Sequence, residues 1–126
     1  MPHFIVEATD NLKKSFDFQP LFAEIHEYLA STGVFPLGGI RSRVHWVDVY
    51  RMADGKEDDA FIHITLKIGA GRSVECLKPI GEQVFKRLTD FFAPLFAERY
   101  FALSFEICEI HEVLNFKKNN VHLRFK

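Results

Sequence analysis

The sequence predicts an α+β fold: a four-stranded mixed sheet with two helices on one face. Three observations carry this. Hydrophobic spacing switches between the two-residue period of strands and the 3.6-residue period of helices. The switches run β-α-β, and then β-α-β again. Strands joined through a helix run parallel and cross over right-handed, and two such units side by side make one mixed sheet with both helices on the same face. The chain has 126 residues, the length of one domain, so the repeat reads as two halves of a single domain, about 2–57 and 58–126.

The elements follow in order. "HFIVEA", from His3, is a short apolar strand almost at the start of the chain. A helix is expected from Gln19 to Ser31, with Asp17 as a cap and Pro20 in the first turn. Leu21, Phe22, Ile25, Tyr28 and Leu29 share its apolar face, and Gly33 stands where a left-handed stop belongs. Ile40 to Met52 alternates well enough for a long second strand. Ala60 to Ile68 is the third, with Ile62, Ile64, Leu66 and Ile68 on one side and Phe61, His63, Thr65 and Lys67 on the other. Ser73 caps a second helix, which Pro94 should kink or end. Tyr100 to Ile110 is the fourth strand, and "VHLRF" reads as a short terminal one. The sheet face without helices is expected to be bare and apolar or aromatic, which would favour association with copies of the chain.

Composition narrows the function. Hydrophobic residues are 48% of the chain and Phe alone occurs 14 times, so much of the core is expected to be aromatic rather than aliphatic. A net charge of −1 gives no global field for nucleic acid or an anionic membrane. Cys76 and Cys108 are too few for a disulfide framework or a zinc site. The first ten residues lack a basic segment and a long apolar run, and no stretch approaches the roughly 20 apolar residues that span a bilayer. A cytoplasmic protein is the expectation. No nucleotide loop, metal motif or nucleophile elbow occurs; "GAGRS" fits neither phosphate-binding pattern.

Two features suggest chemistry. Arg41 and Arg43 open the second strand, and Arg72 sits between a Gly-rich turn and a helix N-terminus, where backbone N–H groups and the helix dipole favour a carboxylate. Pro2 follows Met1 directly. Initiator methionine is commonly trimmed before proline, which leaves a free prolyl amine. An α-amino group titrates near about 7.7–8.0, and an apolar site pushes it lower, into the range of a proton shuttle. The strand that follows Pro2 would tie that terminus to the sheet.

Four stretches, "MPHFIVEATDN", "FPLGGIRSRVHWVDVYRMADG", "FIHITLKIGAGRS" and "LSFEICEIHEVLNFKKNNVH", resemble the 5-carboxymethyl-2-hydroxymuconate isomerase family of the tautomerase superfamily. The likeness runs nearly full length and is most specific in "GIRSRVHW", "LKIGAGRS" and "LNFKKNNVH". It implies a tautomerase-like fold, similar to a fused pair of short 4-oxalocrotonate tautomerase (4-OT) chains, and a homotrimer. The implied reaction lies in homoprotocatechuate (4-hydroxyphenylacetate) degradation and moves a proton across a conjugated dienol. No metal or organic cofactor is implied, and the partner is a small unsaturated polycarboxylate. Residue by residue, the catalytic proline falls on Pro2 and the catalytic arginine on Arg41, with Arg43 open as the alternative. Arg72 falls on a substrate-binding arginine, and Phe116 on the aromatic beside the proline. Another proline-based tautomerase, of the phenylpyruvate type, and a non-catalytic trimeric carboxylate-binding module are the competing readings.

Overall fold

A computed structural model describes residues 1–126. The strands are β1 (His3–Thr9), β2 (Arg41–Val47), β3 (Ala60–Gly69) and β4 (Phe101–Ile110). The helices are α1 (Gln19–Ser31), α2 (Val74–Phe91) and the short α3 (Ala93–Glu98). Tight 3-10 turns occupy Asp10–Leu12, Leu37–Gly39 and Val121–Phe125. The sheet order is β2-β1-β3-β4. Each helix-linked pair is parallel, and the two halves meet at the antiparallel pair β1 and β3.

Strand alternation sets the core. Ile62, Ile64, Leu66 and Ile68 of β3 are fully buried, as are Phe4, Val6 and Ala8 of β1. Leu21, Ile25 and Leu29 of α1 and Ile80, Val84 and Leu88 of α2 cover them from one side. Each such buried aliphatic side chain contributes about 1.5–3 kcal/mol. The core is more aliphatic than expected, with only Phe4, Phe18, Phe35 and Phe92 aromatic among its 20 buried residues, because many rings lie at its edge: Phe92 touches Phe16, Phe18, Phe91 and Phe101, with centroids 5.0–6.1 Å apart.

The punctuation behaves as its chemistry requires. The Asp17 carboxylate accepts the Gln19 N–H at 2.9 Å, and Gly33 has a φ of +75° just past α1. The Ser73 hydroxyl accepts the Cys76 N–H at 3.1 Å at the start of α2. Pro94 stands at the start of α3, where the helical run breaks.

Three expectations are corrected. β2 stops at Val47 rather than Met52, because its partner β1 ends at Thr9, the residue opposite Val47. "VHLRF" is a 3-10 turn, not a strand. The Asn119 side-chain oxygen accepts the Val121 N–H at 2.8 Å, and Leu123 N–H donates to Asn120 O at 3.1 Å, so local bonds close a turn. The uncovered sheet face is not apolar. Its cross-strand rows read Arg43, Ile5, Thr65, Glu106 and His45, Glu7, His63, Ser104, since strand alternation sends the polar set of every strand to that side.

This architecture places the amino terminus at the head of a central strand. The Arg41 N–H donates to Pro2 O at 3.1 Å, so pairing continues past His3 and Pro2 is held on the sheet. The C-terminal segment turns back after β4 and returns to the same corner.

Candidate active site

Four parts of the chain meet around the terminus: the head of β1, the loop entering β2, the turn between β3 and α2, and the C-terminal segment. They enclose a cleft of about 540 Å³. Pro2, Phe35, Arg72, Lys117, Asn119 and His122 are among its walls, and no Asp or Glu lines it.

The free amine belongs to Met1, and the Pro2 nitrogen is an amide. The amine's pKa lies below its ordinary 8.0. Burial contributes most, followed by the positive charges of Lys117, Arg41 and Arg72. Cations drawn from three separate elements thus favour a neutral amine here.

Arg72 is held from two sides. One guanidinium nitrogen donates to Gly69 O and another to Val34 O, each at 3.2 Å. Its plane rests over the Phe35 ring, with the guanidinium carbon 4.9 Å from the centroid, a cation–π contact. These bonds tie the β3–α2 turn to the loop after α1, and so the second half of the chain to the first.

The two arginines of β2 part company. Arg41 donates to the Met1 Sδ at 3.0 Å and so stands beside the terminus. Arg43 pairs with His3 Nδ1 at 3.0 Å on the uncovered sheet face. His3 is correspondingly kept below its usual pKa by burial and then by Arg43 and Arg41. Phe116 is 88% exposed and stands outside the cleft wall.

Sequence reasoning missed Phe35, Lys117, Asn119 and His122. Phe35, only 2% exposed, falls between the expected first helix and second strand, where no periodic pattern marks a buried residue. Lys117, Asn119 and His122 belong to "LNFKKNNVH", the segment from which Phe116 was chosen. Their position depends on a close approach. The Asn119 side-chain nitrogen donates to Gly38 O at 2.9 Å, and His122 packs against Gly38 and Gly39 so tightly that a Cβ at residue 38 would lie 2.8 Å from the His122 Cα. Two adjacent glycines between Pro36 and a strand were the available signal for such a contact.

A larger groove of about 700 Å³ lies between α2 and β4. It shares Arg72 with the cleft, but its walls include Glu82, Glu106 and Glu109 and no terminus. No group of three His, Cys, Asp or Glu side chains is placed to hold a metal ion. No helix is long and apolar enough to cross a membrane.

A double β-α-β unit on a mixed four-stranded sheet, with the terminus at the head of its central pair, is the tautomerase fold. A solved fused 4-OT wild-type symmetric trimer shares it with a TM-score of 0.63 at 15% identity, over 93% of this chain and 95% of that one. The family is narrower. The family model described as 5-carboxymethyl-2-hydroxymuconate isomerase matches residues 2–125. A 5-carboxymethyl-2-hydroxymuconate Delta-isomerase of Escherichia coli is 57% identical over 126 residues, the whole of both chains. The crystal structure of a 5-carboxymethyl-2-hydroxymuconate isomerase from Deinococcus radiodurans R1 superposes with a TM-score of 0.91 at 43% identity, covering 99% of this chain and 94% of that one. The chain belongs to the 5-carboxymethyl-2-hydroxymuconate isomerase family.

Proposed function

We propose that this isomerase ketonises 5-carboxymethyl-2-hydroxymuconate, in homoprotocatechuate degradation, through the amine of Pro2 freed by removal of Met1. One observation carries the reading: the chain terminus opens into a cleft beside Arg41, Arg72 and Lys117 with no carboxylate in its wall, a setting that lowers the pKa of the Met1 amine and that Pro2, which lines the same cleft, shares once Met1 is gone. Such a site repels cations and suits a polyanion.

The neutral Pro2 nitrogen takes the proton of the 2-hydroxyl. Electrons of the breaking O–H bond form the 2-oxo group, and the conjugated double bonds shift along the chain. The protonated amine then delivers the same proton to a carbon further along. Proton and electrons balance with no oxidant or cofactor. Arg41, whose backbone N–H pairs with Pro2 O, binds the 2-oxo and carboxylate end and stabilises charge developing on oxygen. Arg72, fixed by Gly69 O, Val34 O and the Phe35 ring, receives a distal carboxylate without having to be ordered first. Only the first half offers a terminal amine, so one site per subunit follows. Likeness to a symmetric trimer supports a homotrimer. The expected cytoplasmic setting belongs to the same reading.

The test is an ultraviolet assay of dienol ketonisation on protein whose intact mass shows Met1 removed. Catalytic efficiency should rise with pH as the prolyl amine loses its proton and the base form accumulates. Arg41→Ala should lower kcat/KM by roughly 10²–10³-fold, the loss typical of an oxyanion donor. Pro2→Ala should also fall sharply, since a primary amine replaces the prolyl base. Unchanged rates in both variants sink the proposal.

A further inference from the structure

We infer that Lys117 recognises the third carboxylate of the substrate, completing with Arg41 and Arg72 a set of three cations for three negative groups. This rests on the function proposed above. A muconate skeleton carries two carboxylates, and a 5-carboxymethyl group adds a third.

Three cations stand at the cleft, and none of them is paired with a carboxylate. The ion pairs of the chain involve Lys86, Arg87, Arg99 and His63; none involves Arg41, Arg72 or Lys117. Arg72 is bonded only to carbonyl oxygens and Arg41 to a thioether. Lys117 lines the cleft wall together with Pro2 and Arg72. Three like charges gathered without a counterion repel one another, so an anion with matching charges gains affinity from all three.

The segment that carries Lys117 is anchored on either side of it. The His111 Nδ1 accepts the N–H groups of Val113 and Leu114, at 3.0 and 2.8 Å, just after β4. Asn119 anchors the other end on Gly38. Lys117 lies in this strap, between the two anchors, and lines the cleft. An ammonium is a point charge with three rotatable donors, suited to a carboxylate on a flexible methylene arm. His122 also lines the wall, but it carries charge only when protonated.

The experiment compares two substrates on the same Met1-free enzyme: 5-carboxymethyl-2-hydroxymuconate and 2-hydroxymuconate, which lacks the carboxymethyl arm. In Lys117→Gln, the ratio of the two kcat/KM values should fall by roughly ten- to a hundredfold against wild type, the loss of one charge-assisted hydrogen bond. Lys117→Arg should restore most of that ratio. A role confined to holding the strap or tuning the amine would lower both substrates alike. An unchanged ratio in Lys117→Gln, in protein of wild-type melting temperature, overturns this inference and leaves the proposed function standing. Wild-type enzyme that turns over neither substrate overturns both.

Discussion

Replacing Gly38 by alanine separates the stability of the cleft wall from the stability of the fold. The added Cβ would lie 2.8 Å from the His122 Cα and 2.9 Å from its Nδ1. The first of these atoms is backbone and has no rotamer by which to withdraw. Overpacking of this kind costs about 1–3 kcal/mol. Little resists it. The Asn119–Gly38 hydrogen bond is worth about 1 kcal/mol. Val121, Leu123 and Phe125 remain 40%, 65% and 51% exposed, so the segment buries little apolar surface. The strain therefore exceeds the anchoring, and the C-terminal strap lifts away while the sheet and helices stay folded. The melting temperature should fall by only about 4 °C, the value of the one lost bond. Catalytic efficiency should fall roughly a hundredfold as Lys117 and His122 leave their places. Hydrogen exchange in residues 117–125 should rise towards the solvent rate, with β1 and β3 unchanged. Wild-type activity with unchanged exchange in that segment would refute the reasoning.

Two further outcomes follow from burial. His26 in α1 is kept below its ordinary pKa of 6.5 by burial, and its Nε2 lies 2.7 Å from the Ser42 hydroxyl. The unfolded chain then binds the proton first, so stability is lost as pH falls below 6.5 towards the lower folded value. His26→Gln should narrow the difference in melting temperature between pH 7 and pH 5, and an undiminished difference would contradict the argument. Ile64, fully buried at the centre of β3, should cost about 2–5 kcal/mol on replacement by alanine, read from the urea midpoint; a loss under about 1 kcal/mol would mean the site collapses freely.

Much of the secondary structure was legible because its signals are local. The alternation of Ile62, Ile64, Leu66 and Ile68 fixes which side of β3 is buried whatever lies beside it. The bounds of α1 followed from Asp17, Pro20 and Gly33, each acting within one turn. Strand length was not local. Residues beyond Val47 keep an alternating pattern, but the neighbouring strand has ended and offers them no ladder. The same holds for "VHLRF", whose pattern suits a strand and whose N–H groups are taken by a turn.

The candidate site divides in the same way. Arg41 and Arg43 share one side of a strand by period two, and nothing in their spacing separates them. The structure does: His3 takes up Arg43, and the terminus takes up Arg41. In "LNFKKNN" the sequence pointed to the right segment but to Phe116, whereas the cleft receives Lys117. The sequence by itself determined the double β-α-β order, the buried faces and a proline one residue from the start, because periodicity, capping and position are properties of neighbours. Tertiary structure alone decided that residues 2, 35, 72 and 117 share one cleft, with Arg41 beside it. They lie far apart along the chain, and strand register, the Arg72–Val34 bond and the Gly38 contact bring them together.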